Sequence, residues 1–177
     1  MPTQWLKTGL IALALISLAG CAGVISKPVA QQATPEAELS AVLKTPDAFL
    51  GKMILWSGRI ISTKPLEEGT LIEVLQISSD RNRRPPQSDK TEGRFLALNP
   101  GFLDPLVYKA DREITLAGRI REMRTQPLGE IQYVYPLVDV VELHMWPQRP
   151  GELHLRDDDR PSHWPYYHWG CPGYWCW

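Results

Sequence analysis

Ile54-Leu55-Trp56-Ser57-Gly58-Arg59-Ile60 and, sixty positions later, Ile114-Thr115-Leu116-Ala117-Gly118-Arg119-Ile120 place the same residue types at the same offsets. In both stretches large apolar side chains alternate with small or polar ones, the period of two that a half-buried β-strand requires. Ile54, Trp56, Gly58 and Ile60 fall on one face in the first stretch, and Ile114, Leu116, Gly118 and Ile120 in the second. The opposite face of each is expected to be wet. Glycine weakens a strand interior, so its occurrence on the core face of both strands marks bends where a sheet curls tightly.

Outward from this pair, three more alternating segments follow. Thr70 to Ile77, Arg94 to Leu98 and Ile131 to Trp146 read as strands, the last interrupted at Pro136, while the second of the paired stretches runs from Glu113 to Met123. Ahead of them, Thr34-Pro35-Glu36 is an N-cap followed by proline at the first helical position, with Leu39, Val42 and Leu43 on one helical face. Asp104-Pro105 can cap a further short helix through Tyr108, between the third and fourth strands. Five strands, two sharp bends and a helix at that point describe an all-β domain with short helices: a small five-stranded OB-fold-like barrel over residues 35–148. Gly101, Phe102 and Leu103 are expected to turn the chain and plug one end of it.

The N-terminus carries a different signal. Lys7 precedes the apolar run Leu10 to Leu18, and Leu18-Ala19-Gly20-Cys21 closes it as a lipobox. The run is far short of the ~20 apolar residues a membrane span needs. Residues 1–20 are therefore expected to be a lipoprotein signal peptide, with Cys21 the lipidated first residue and 21–34 a flexible tether. Several acyl chains, at ~0.8 kcal/mol per buried CH₂, hold a protein firmly to a bilayer. Ala22 rather than Asp after the thiol resembles the sorting signal for the outer membrane.

Removing the leader leaves 157 residues with 18 basic and 20 acidic side chains. That suits one domain, and the balance gives no electrostatic invitation to a polyanion. Arg81, Arg83, Arg84 and Lys90 lie in a long loop without a single aromatic residue, unlike the stacking platforms that hold single-stranded nucleic acid. Contact with anionic lipid is the functional alternative to a solvated loop.

Residues 149–177 form an aromatic tail holding four of the seven tryptophans. Cys171 and Cys176 are expected to close a disulfide in an oxidising compartment, provided their α-carbons approach within about 7 Å. The alternative is a Zn²⁺ or Cu(I) site on His163, His168, Cys171 and Cys176, the basis of a competing reading as a periplasmic metal-handling protein. Interfacial contact of the rings with membrane or glycan is compatible with either.

Gly93-Arg94-Phe95 and Asn99-Pro100-Gly101-Phe102-Leu103-Asp104-Pro105 resemble a signature of the starvation-inducible outer-membrane lipoprotein (Slp) family. Phe49 to Lys52, Trp56 to Ile61, Ile72 to Val74, Val107 to Gly118 and Tyr133 to Pro136 follow in that family's order, so the likeness runs from the lipobox to about Trp146. The resemblance implies a stress-associated outer-membrane lipoprotein and supplies no catalytic residue. The tail after Pro147 does not share in it.

Nothing else in the sequence points to an enzyme. Nucleophile elbow, P-loop, H-E-x-x-H and dinucleotide-binding glycine patterns are all missing, and His144 has only Asp139 and Glu142 nearby in sequence. The expectation is a monomeric, non-enzymatic binding or structural module without a cofactor beyond its covalent lipid. Its partners would be outer-membrane lipid through the anchor and lipopolysaccharide, peptidoglycan or another envelope protein, with no nucleic acid.

Overall fold

Five strands close on themselves in the computed structural model, which describes residues 23–79 and 84–149. They are β1 (Met53–Leu66), β2 (Gly69–Gln76), β3 (Gly93–Asn99), β4 (Glu113–Leu128) and β5 (Ile131–Met145). The barrel order is β1-β2-β3-β5-β4. All neighbours are antiparallel except β3 and β5, which meet in parallel over Leu96–Leu98 and Leu137–Asp139. This is a five-stranded Greek-key barrel of the OB type, as the alternation and the paired glycines suggest.

The two glycines lie where strands are shared. Gly58 pairs with Ile114 of β4 on one side and Gln76 of β2 on the other, so β1 passes from one partner to the next at this residue. A Cβ there would collide with the Leu75 carbonyl oxygen, and one on Gly118 with the carbonyl oxygen of Asp139. Only a residue without a side chain admits neighbours this close. Register shifts beside Ile60, Gly118 and Ile120 add the local twist that closure needs.

The inner face is mostly apolar, with buried Thr70 and Gln76 at the two ends of β2. Ile54, Trp56, Ile72, Phe95, Leu116 and Val138 belong to one buried cluster, with the Trp56 and Phe95 rings edge to face at 5.0 Å. The indole N–H, which would be costly to bury unpaired, donates to the Ala37 carbonyl at 2.7 Å.

Each end is stoppered differently. A four-residue helix, α1 (Lys27–Ala30), precedes α2 (Leu39–Lys44), and Leu39 and Val42 of α2 are wholly buried in the barrel mouth. The helix starts later than Thr34-Pro35-Glu36 suggests, because the Thr34 N–H is taken by the Met53 carbonyl and residues 34–37 form a turn. At the other end Leu103 and Tyr108 pack on the core, but Phe102 does not. The helix expected after Asp104 is a single turn, in which the Asp104 backbone carbonyl accepts from Tyr108 N at 2.9 Å and its carboxylate from Leu106 N at 2.8 Å. Gly101 needs no left-handed backbone angle.

Two further expectations are corrected. Residues 24–34 are not a free tether: Ile25 is buried against Met53 and Ala117, and Ser26 donates through N and Oγ to Glu142 at 2.7 and 2.6 Å. This cover makes the outer side of β4 dry at Ala117, where the alternation suggested water. Pro136 does not break β5 either. It sits opposite Met123, beside a register shift and just ahead of the pairing with β3, a position that tolerates a missing N–H. The chain divides after Pro147 into two units, and the barrel belongs to the first.

Candidate functional site

Period-two geometry gives β2, β3 and β5 a second face, turned away from the core. Leu96, Leu98, Tyr135 and Leu137 form a separate buried cluster there, flanked by half-buried Leu66, Leu71 and Tyr133. The two tyrosine rings lie 4.7 Å apart and tilted. The Tyr133 hydroxyl accepts from the Arg94 backbone N–H at 3.1 Å, an approach left open by the absence of a side chain at Gly93.

Polar groups converge on this apolar patch. Arg94 Nη1 reaches Glu73 Oε1 at 2.9 Å, and the Tyr135 hydroxyl donates to the same oxygen at 3.2 Å. The hydrogen bond it donates to Glu73 holds the Arg94 guanidinium above its ordinary pKa. Burial, and then the Glu73 charge, push the Tyr135 phenol upward. A fixed cation–carboxylate pair beside aromatic rings can bind by stacking and directed hydrogen bonds.

A second concavity, of about 210 Å³, lies between the 34–38 turn and the β1 and β2 strands, lined by Thr34, Glu38, Trp56, Ser57, Gln76 and Ser78. This is below the roughly 300–1,000 Å³ of pockets that take drug-sized ligands. Two of its serine hydroxyls are committed to the fold: Ser57 Oγ donates to the Ile77 carbonyl at 2.7 Å, and Ser78 Oγ to Glu92 at 3.0 Å.

Cys21, His163, His168, Cys171 and Cys176 lie outside the described residues, as do Arg81 and Arg83. Arg84 is a structural strut. It pairs with the buried Glu113 carboxylate, donates to the Pro147 carbonyl at 2.6 Å and lies over the Trp146 ring. His144 packs edge-on against Trp146 at 4.6 Å, Glu142 is occupied by Ser26, and Asp139 by Arg121 at 2.8 Å. These three therefore do not assemble a catalytic set. Among the described residues no group of three or more His, Cys, Asp or Glu could hold a metal ion, and no helix is long and apolar enough to cross a membrane.

The Glu73, Arg94 and Tyr135 trio is not legible in the sequence. Glu73 stands between the core residues Ile72 and Val74, and Arg94 just ahead of Phe95, which signals outward positions. Alternation does not say which strand lies next to which.

The fold and face define an OB-type barrel with an amphipathic outer surface. The chain belongs to the outer membrane lipoprotein Slp family, whose match extends over residues 18–175 and so also takes in the tail that the resemblance leaves out. Among curated proteins it is similar to the outer membrane protein Slp of Escherichia coli K12, at 25% identity over 94% of this chain and 90% of that protein. It is also similar to the uncharacterized lipoprotein YeaY of the same strain, at 24% identity over 74% of this chain and 67% of that one. Solved structures with a similar chain path include a small single-stranded DNA-binding protein from Streptomyces coelicolor, with a TM-score of 0.33 and 13% identity over 53% of this chain and 93% of that one. Another is the mitochondrial single-stranded DNA-binding protein Rim1 from S. cerevisiae, with a TM-score of 0.32 and 8% identity over 54% and 94%.

Proposed function

We propose that this protein is held to the periplasmic face of the outer membrane by acyl chains on Cys21 and acts there as a non-enzymatic binding or structural module. The supporting observation is that the family match starts at residue 18, so the Leu18 to Cys21 lipobox lies inside the region shared with other outer-membrane lipoproteins. A fatty anchor also fits a barrel whose described helices do not span a bilayer. Its contact surface is the outer β2–β3–β5 face, where Tyr133, Arg94 and Glu73 stay partly open to solvent.

Mass spectrometry of protein purified from its own host's membranes is the decisive experiment. The expected N-terminal peptide begins at Cys21 and carries diacylglyceryl and N-acyl groups, and Cys21→Ala should leave the protein unprocessed. A mature chain with an unmodified residue 21 would overturn the reading.

A further inference from the structure

Among the described residues, the loop between β3 and β4 carries the two most exposed large apolar side chains. Phe102 is 74% exposed and Leu106 85%, with Val107 at 46% beside them. Their exposure is built in. Thr70 Oγ1 donates to the Gly101 carbonyl at 3.0 Å and accepts from Leu103 N at 2.9 Å. Thr63 Oγ1 donates to the Tyr108 carbonyl at 2.6 Å, and Asp104 closes the turn between. Leu103 and Tyr108, pinned inward on the core, hold Phe102, Leu106 and Val107 outward. Three large apolar groups on a rigid turn are not needed for packing, and such patches mark contact sites.

We infer that this turn is a membrane-docking wedge, which seats the barrel against the lipid surface that holds its anchor. The inference rests on the acylated Cys21 reading. The packed N-terminal segment then sets the distance: Ile25 is fixed to the barrel wall, and four residues at full extension reach only about 14 Å from it to Cys21. A barrel held within that reach of a bilayer rests part of its surface on it, and the pinned apolar turn is the described part that lipid favours.

The loop carries Asp104 and Asp111 against Lys109 and Arg112. With charges balanced, its insertion is apolar in origin and should be insensitive to salt and to anionic lipid.

The test is photolabelling of the acylated full-length protein in phosphatidylcholine vesicles that contain a diazirine-bearing acyl chain, with adducts mapped by mass spectrometry. Adducts on the Gly101–Tyr108 peptide should exceed severalfold those at Ile131, another exposed apolar residue, on the β4–β5 hairpin. Phe102→Ser with Leu106→Ser should bring them to the Ile131 level while the protein still floats with the vesicles. Equal labelling of the two sites in floating wild-type protein would overturn the wedge and leave the anchor standing. Protein that does not float would overturn the anchor and the wedge with it. Loop labelling that falls to the Ile131 level as the density of protein on the vesicles rises would place a second copy of the chain on the turn and would also overturn the wedge.

Discussion

Phe95 and Leu96 are neighbours in sequence and belong to different cores. Phe95 points into the barrel, where the only polar intrusion from its aromatic partner Trp56 is an N–H satisfied by a backbone carbonyl. Leu96 points outward to a smaller cluster where a tyrosine, an arginine and a carboxylate share hydrogen bonds. The same strands thus carry a closed apolar interior that fixes the fold and a half-open amphipathic exterior that can meet something else. Cutting into the first should unfold the protein. Cutting into the second should change its surface and leave the barrel standing.

The largest effect is expected from Phe95→Ala. Removing a fully buried ring and its contact with Trp56 should cost about 3–5 kcal/mol, read as a shift in the urea midpoint at unchanged m-value. A loss below about 1 kcal/mol would mean that the inner face is no tighter than the outer one. Gly58→Ala comes next. The added methyl meets the Leu75 carbonyl, so β1 and β2 must separate where β1 changes partners, and overpacking of this kind costs about 3 kcal/mol. Native-state hydrogen exchange should show amides at the β1–β2 junction opening first.

The smallest effect should come from the outer face and depend on pH. Tyr135 has its phenol pKa raised by burial and by Glu73, so the folded state holds the proton more tightly than the unfolded chain. That contribution is complete below the ordinary phenol pKa of about 10 and is lost as pH rises through the higher folded value. Thermal melts from pH 8 to 11 should therefore show wild-type stability falling more steeply above pH 10 than that of Tyr135→Phe. Parallel curves would mean that the phenol is not desolvated and the outer cluster is wetter than its packing indicates.

The paired segments at 54–60 and 114–120 make the barrel legible, because alternation is a local property and a glycine on the apolar face of a strand marks a bend or a close backbone approach. The ends of the barrel are harder to read. Thr34-Pro35 and Asp104-Pro105 both carry helix-start chemistry, yet the first is spent on a turn bonded to Met53 and the second on a single turn. Residues 24–34 look like a linker because their few apolar side chains lack periodicity, and what pins them is Ile25 on Met53 and Ala117 together with Ser26 on Glu142, all partners distant in the chain.

The sequence by itself determined the strand faces, the bend positions and the lipobox, since each is written in residues within a few positions of one another. The tertiary structure alone decided that Glu73, Arg94 and Tyr135 meet, that Ile25 covers Ala117, and that Phe102 and Leu106 stand clear of the core. Those outcomes depend on which strands become neighbours and in what register. Which strands become neighbours is set by the summed packing of residues far apart in the chain, whereas alternation within one strand fixes only which face each side chain takes.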